Sequence, residues 1–160
     1  TPEAKAQGEK LLAENCREYV IDDAELERVY KSYPVMWKKK DKKADLCFIG
    51  CPHLTYAQLC DWTDKIAAGL KASGRKKVAV RTVLTTAPDV AEKLKKTAGY
   101  EKLKATGAKL SSICPLMYTN NPLTKMHRIM TSSNKLRTYS AARYYKDEEI
   151  LAMITGKEGR

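Results

Sequence analysis

The sequence predicts an α/β protein, a three-layer α/β/α domain on a mainly parallel sheet. Three observations lead there. Ala44-Asp45-Leu46-Cys47-Phe48-Ile49 is short and nearly continuous in apolarity, as a strand covered on both faces must be. Apolar residues at helical spacing follow it and then alternate with further short apolar runs. The resulting order from residue 44 onward, β-α-β-α-α-β-loop-β-α, is the order a right-handed parallel sheet requires.

Each element has its own signal. Residues 1–43 read as an N-terminal helical segment with a basic linker, and 44–160 as the α/β domain. Thr1 to Asn15 is a polar helix of weak periodicity, and Glu18 to Ile21 a short strand. Asp22 to Tyr33 is a helix that Asp22 or Asp23 caps and Pro34 ends, with Leu26, Val29 and Tyr30 on one face. Trp37-Lys38-Lys39-Lys40-Asp41-Lys42-Lys43 is the linker. Gly50 breaks the first strand of the domain. Thr55 and Gln58 then make a capping box, and Leu59, Trp62, Ile66 and Leu70 fall on one helical stripe that Gly74 closes. Lys77 to Val83 is the second strand. Thr85-Thr86-Ala87-Pro88-Asp89 starts a helix, because the first turn tolerates a missing N–H and welcomes a negative charge. Thr85 and Thr86 read as capping residues, and Val90, Leu94 and Thr97 carry the helix to Gly99. Tyr100 to Ala105 is a short helix before Gly107, and Lys109 to Ile113 the third strand. After a loop, His127 to Met130 is the fourth strand. Asn134 to Arg143 and Lys146 to Thr155 close the chain as helices.

Composition narrows the class. The chain has 160 residues, enough for one buried core. Its 43% hydrophobic and 31% charged residues are those of an ordinary globular protein. No apolar run reaches the roughly 20 residues of a membrane helix, so a membrane is not an expected partner. Thr1-Pro2-Glu3-Ala4-Lys5 lacks a charged-then-apolar leader. The missing initiator Met is what a processed protein, or a piece of a longer one, would show. Five cysteines without a leader argue against a disulfide framework and for a reduced, cytoplasmic setting. The net charge of +11 suits either a nucleic-acid surface or a solvated surface that attracts acidic substrates and partners.

Three motifs carry chemistry, each after an expected strand, where ligands of parallel sheets bind. In Gly50-Cys51-Pro52-His53, the start of a capped helix favours the Cys51 thiolate, and His53 adds a ligand or proton donor. Cys51 reads equally well as a small buried apolar residue. Cys114-Pro115 repeats the pattern. No C-x-x-C pair is present, but cluster thiolates come from distant segments as well. Cys47 and Cys60 fit packing better. In Thr131-Ser132-Ser133-Asn134-Lys135, hydroxyls, backbone N–H groups and an ammonium meet at a strand-to-helix turn, which suits a carboxylate or phosphate. A helix cap explains part of this run.

The run from Leu46 to Leu54, then Cys114-Pro115, then Ile129-Met130-Thr131-Ser132-Ser133-Asn134-Lys135 resembles the catalytic large region of aconitase X. That family is related to aconitase and includes phosphomevalonate dehydratase and cis-3-hydroxyproline dehydratase. Its pattern is G-C-P-H, a later C-P, and a turn close to M-T-N-S-A-K followed by H-Y. The resemblance covers about Asp22 to Lys157 and is most specific from Asp45 to Tyr139. It implies an aconitase-domain-like fold and an iron–sulfur hydro-lyase that dehydrates a small, anionic, hydroxy-acid-like substrate. It also implies that Cys51 and Cys114 bind the cluster, that His53 is catalytic, and that Thr131, Ser132, Ser133 and Lys135 hold the substrate. A further cluster cysteine is expected in an N-terminal region outside this chain. The partners implied are the remaining large-region residues and a small swivelling domain or subunit, so the cluster would be incomplete or absent in the chain alone. Ser132 and Asn134 replace the usual Asn and Ala, and Thr138 stands where His often precedes the Tyr that matches Tyr139. These departures bear on substrate choice.

Two other classes compete. A basic nucleic-acid-binding module is motivated by the charge and by Tyr139, Tyr144 and Tyr145 near Arg137 and Arg143. It ranks well below, since no RNA-binding motif is present. The other is an inactive interaction domain that keeps the fold.

Overall fold

The computed structural model describes residues 1–34, 37, 43–122 and 126–156. Residues 38–42 of the expected basic linker lie outside them. Two compact units divide the chain, Thr1–Tyr33 and Pro34–Arg160.

In the first unit, helix α1 (Pro2–Gln7) is capped by the Thr1 side chain and gives way to a 3-10 turn at Gly8–Leu11. The expected helix to Asn15 stops early because Gly8 takes a φ of 54°. Helix α2 (Asp23–Ser32) starts as expected, with the Asp22 carboxylate accepting from Glu25 N at 2.8 Å. The strand expected at Glu18 to Ile21 does not form, since those residues have no ladder partner among the described residues. The Tyr19 hydroxyl instead donates to Glu25, as does Arg28. Arg28 first, and Tyr19 with it, hold the Glu25 carboxyl down at about 2.

The second unit is built on five parallel strands: β1 (Leu46–Leu54), β2 (Arg81–Thr86), β3 (Lys109–Ser111), β4 (Ile129–Thr131) and β5 (Arg143–Tyr144). Their order across the sheet is β3-β2-β1-β4-β5. The helices are α3 (Tyr56–Ala72), α4 (Pro88–Lys95), α5 (Ala98–Thr106), α6 (Pro115–Thr119), α7 (Asn134–Tyr139) and α8 (Asp147–Thr155). The capping box on α3 is present, with Gln58 N donating to Thr55 Oγ1 and the Gln58 side chain accepting from Thr55 N.

Alternation along β1 makes the three layers. Cys47 and Ile49 face one core, shared with Leu59, Ile66 and Leu70 of α3, Leu94 of α4, Leu103 of α5, and Ile150 and Ile154 of α8. Leu46 and Phe48 face a second core with Ile129 and Leu136, against which Leu116 and Tyr118 of α6 pack. Burial of each such Leu or Ile contributes about 1.5–3 kcal/mol. The thicker layer is therefore α3, α4, α5 and α8, and the thinner one α6 and α7.

Among the boundaries that differ from expectation, four have a local reason. The β2 strand begins at Arg81 rather than Lys77, because Val78 N and Ala79 N bond to Thr106 O and Ile154 O at the ends of α5 and α8. A break separates α4 from α5 where the Thr97 hydroxyl donates to Leu94 O at 2.8 Å. The loop after Ile113 contains α6, started by Pro115. The last-but-one helix stops at Tyr139, where the Ser140 hydroxyl donates to Leu136 O and accepts from Ala142 N. The chain then turns into β5.

The amino edge of the sheet is pinned by an ion pair. Arg128 donates to Asp45 from Nε at 3.1 Å, from its backbone N at 2.9 Å and from Nη2. These hydrogen bonds hold the Asp45 carboxyl below its ordinary value, against partial burial that raises it. A depressed carboxyl contributes stability above its unfolded pKa of about 4, and the contribution fades as pH falls through the lower folded value. The side chains are 36% and 30% exposed, so solvent screens the pair. Asp45→Asn should cost about 0.5–1 kcal/mol in urea unfolding at pH 7. A difference from the parent that persists undiminished in acid would show that the charge is not what matters.

Candidate active site at the sheet switch point

The strand order reverses direction beside β1. Successive strands run outward from β1 through β2 to β3, and the chain then returns to place β4 on the other side of β1. In open parallel sheets, ligands bind at the carboxyl ends of strands on either side of such a reversal. Here β1 ends in the Gly50-Cys51-Pro52-His53 segment and β4 in the Thr131-to-Lys135 turn. Because every pairing is parallel, the Cys114 turn after β3 lies along the same edge.

Gly50 does not end β1. The strand continues to Leu54 through an irregularity: Ile49 pairs with Leu84 and Leu54 with Thr86, so Gly50 to His53 are opposed only by Thr85. Those four residues bulge from the ladder, with a cis bond between Cys51 and Pro52. Two threonines of β2 clamp the bulge. The Thr85 hydroxyl donates to Gly50 O, and the Thr86 hydroxyl donates to Leu54 O at 2.6 Å. Both are fully buried. The sequence had suggested capping for Thr85 and Thr86. The structure corrects this, because α4 has Ala87 at its cap position and no side-chain cap bond. A pair of β-branched residues closing an apolar run was the available signal, since such residues favour strands.

Within the bulge, Cys51 is half-buried and packs against the second core, as Leu116 and Tyr118 of α6 also do. Cys114 is half-buried at the cap of that same helix and makes no cap bond of its own. His53 is exposed. Cys47 is fully buried, and burial pushes its thiol up. Cys60, half-buried on α3, also packs on the main core. Among the described residues no three His, Cys, Asp or Glu side chains gather closely enough to hold a metal.

The β4 turn is fixed from within. Thr131 Oγ1 accepts from Ser133 N at 3.1 Å, and Ser133 Oγ caps α7 by accepting from Leu136 N at 2.9 Å. Both side chains are buried. Accepting a backbone bond leaves each hydroxyl its own proton to donate. Ser132 is half-buried and Lys135 exposed, so these two are the accessible members. None of the three segments 50–55, 111–119 and 131–138 carries a carboxylate, whereas His53, Lys135 and Arg137 are potential cations. Asp89 stands in the first turn of α4, after β2. The charge balance of the segments at the carboxyl edge of β1, β3 and β4 favours an anion.

Of the aromatic and basic residues near the C-terminus, Arg137, Arg143 and Tyr145 make internal contacts, whereas Tyr139 is 65% exposed. The Arg143 guanidinium lies 5.4 Å from the Trp37 ring and 4.9 Å from the Tyr145 ring. Arg137 is held by Asn134 and Thr138. No helix among the described residues is long and apolar enough to cross a membrane.

A family model described as the aconitase X third domain matches residues 44–153. No match was found among curated proteins. Among solved structures, the crystal structure of Thermococcus kodakaraensis aconitase X in its holo-form superposes with a TM-score of 0.63 at 20% sequence identity. The match covers 88% of this chain and 36% of that one, and at this identity it speaks for the fold alone. With more than half of its length matched, from the strand before the cysteine bulge into the last helix, the chain belongs to the aconitase X family and carries that family's third domain.

Proposed function

We propose that this chain supplies one wall of an aconitase X-type hydro-lyase acting on a small, anionic, hydroxy-acid-like substrate. The observation that carries the reading is the juxtaposition at the switch point of the Cys51 bulge and the Lys135 turn, with Cys114 on the same edge. The reaction class is loss of water. A carbon–oxygen bond breaks, a proton leaves the neighbouring carbon, and that electron pair becomes the new carbon–carbon double bond.

Cys51 and Cys114 would hold two corners of an iron–sulfur cluster. When bound, such a group supplies a Lewis acid for a departing hydroxyl. His53, exposed at the end of the bulge, would move a proton. Lys135 and Ser132 meet the substrate anion, while Thr131 and Ser133 hold the turn in shape and offer their remaining O–H donors. The other cluster ligand and the cover over the crevice come from the remaining aconitase X regions and a small swivelling domain or subunit. A reducing, cytoplasmic setting would suit free thiols and such a cluster.

The test uses the complete aconitase X assembly carrying this segment, loaded anaerobically with iron and sulfide. A panel of small hydroxy acids is assayed by the ultraviolet absorbance of the unsaturated product. Lys135→Ala should lower kcat/KM by roughly 10- to 150-fold, the equivalent of about 1.5–3 kcal/mol for a lost charge-assisted contact. Circular dichroism should not change. If Lys135→Ala and Ser132→Ala both leave the kinetics untouched, the turn is only a helix cap.

A further inference from the structure

The amino edge of the sheet, opposite the cysteine bulge, is basic. Every pairing is parallel, so the segments that enter the strands share that edge. Residues 44–46, 73–81, 106–109 and 126–129 enter β1, β2, β3 and β4. They bring Arg75, Lys76, Lys77, Arg81 and Lys109, all exposed, and Asp45 is their one carboxylate. Arg128 holds Asp45. None of the five exposed cations has an ion-pair partner among the described residues. Elsewhere in the unit lysines are compensated, as Lys65 is by Asp61 at 2.7 Å and Lys102 by Asp64 at 2.8 Å.

Part of this charge has a structural use. Val78 N donates to Thr106 O and Ala79 N to Ile154 O, which sets that segment under the carboxyl ends of α5 and α8. A Cβ on Gly156 would lie 2.6 Å from Arg75 Cδ, and one on Gly107 would lie 3.0 Å from Lys77 Cδ, so both side chains run along those ends. Cations are favourable there, because a helix ends in unpaired carbonyls. Arg81 and Lys109 belong to β2 and β3 and are not accounted for in this way. Adjacent strands stand about 4.8 Å apart, within the screening length of about 8 Å at physiological salt. The cations of this edge therefore act as one field.

The spread of the cations selects the partner. A small anion reaches one or two of them, whereas a linear polyanion meets them all. Arg75 and Arg81 offer forked donors that match phosphate oxygens. Stable seating on a lipid surface also takes buried apolar area, and Met126 is the one exposed large apolar side chain in these segments. We propose that the amino edge binds the phosphodiester backbone of single-stranded nucleic acid without reading its sequence. A single strand is flexible enough to follow the twisted edge of a sheet. This surface is distinct from the Tyr139-to-Tyr145 stretch and from the crevice of the proposed reaction, and it holds whether or not that reaction occurs.

The experiment adds the 160-residue chain to a labelled single-stranded RNA of about 20 nucleotides and follows fluorescence anisotropy. Release of counterions from about five phosphates gives a slope of about −3.5 for log affinity against log salt, roughly a 50-fold loss between about 50 and 150 mM. Lys77→Glu with Arg81→Glu should weaken binding at least about tenfold and flatten the slope by about 1.4. Lys76→Glu with Lys109→Glu should do the same, and circular dichroism checks the fold of each pair. Lys93→Glu with Lys135→Glu is the control of equal charge change. Lys93 lies over the ring of Tyr56, which starts α3 on the opposite edge. This pair should change affinity less than about twofold. An RNA of unrelated sequence should bind equally well. Equal weakening by all three pairs would reduce the effect to net charge and overturn the proposal. So would failure to bind RNA at about 50 mM salt. Tighter binding to phosphatidylcholine vesicles containing phosphatidylserine than to RNA would overturn it too, and would assign the edge to lipid headgroups.

Discussion

Gly50→Ala is expected to destabilise the α/β unit by about 2–6 kcal/mol. Two costs add. Gly50 has a φ of +108°, a conformation L-residues rarely adopt, and holding one there costs about 1–3 kcal/mol. A Cβ would also overlap the Thr85 carbonyl oxygen, and it would come within 2.8 Å of Thr85 Oγ1 and 3.0 Å of Leu54 Cγ. The first of these is backbone in the adjacent strand and cannot swing aside, so the ladder itself must shift, which costs about another 1–3 kcal/mol. Gly74→Ala is the control. Gly74 has a φ of +69° with nothing within 4 Å of a built Cβ, so only the conformational cost of about 1–2 kcal/mol applies. Urea unfolding of the two variants separates the steric cost from the conformational one. Equal losses would mean that β1 and β2 do not approach as closely at the bulge as the hydrogen bonds from Thr85 and Thr86 require.

The same bulge marks where the sequence stopped being informative. The α3 stripe and its capping box were legible because each depends on residues within a few positions of one another, and a helix satisfies its own backbone. The Leu46-to-Ile49 strand was legible because a strand covered on both faces must be apolar at every position. Strand ends are different, since a ladder partner decides them. Gly50 looked like a terminus, yet β1 runs on because Thr86 is there to pair with Leu54. The two-residue β5 exists only because β4 offers Met130 and Thr131 as partners. The five-residue α6 is too short to show a periodicity, and it is held by Phe48 beneath Tyr118, with ring centroids 5.3 Å apart.

At the site, the motifs told which residues to watch, and the family pattern supplied the roles proposed for them. What no local pattern disclosed was the support. Thr85 and Thr86 were read as the start of the following helix, but their hydroxyls reach back across the ladder to Gly50 and Leu54. Such a contact spans more than thirty residues of chain and leaves no short-range spacing to find.

Replacing Cys51 or Cys114 with Ser in the complete aconitase X assembly is expected to remove most of the bound cluster and to lower activity by more than about 100-fold. Substituting an outer partner of a metal ligand already costs about 10- to 100-fold, and loss of a direct thiolate costs more. Neither change should unfold the protein. Cys114 occupies the cap position of α6 without a side-chain bond, and Ser is a better capping residue there. Cys51 is only half-buried, and Ser differs from it by a single atom. Cys60→Ser serves as the comparison, since Cys60 packs on the main core rather than on the second core that Cys51 meets, and should leave iron content unchanged. The measurements are iron and sulfide analysis, visible absorption and electron paramagnetic resonance after anaerobic reconstitution, with circular dichroism to confirm the fold. The 160-residue chain alone should hold the cluster weakly, because two thiolates leave the ligand set incomplete and binding is coupled to completing it. Full iron occupancy in Cys51→Ser or Cys114→Ser would remove that cysteine from the ligand set. A stoichiometric, air-stable cluster in the 160-residue chain would show that this domain needs no donor from outside itself.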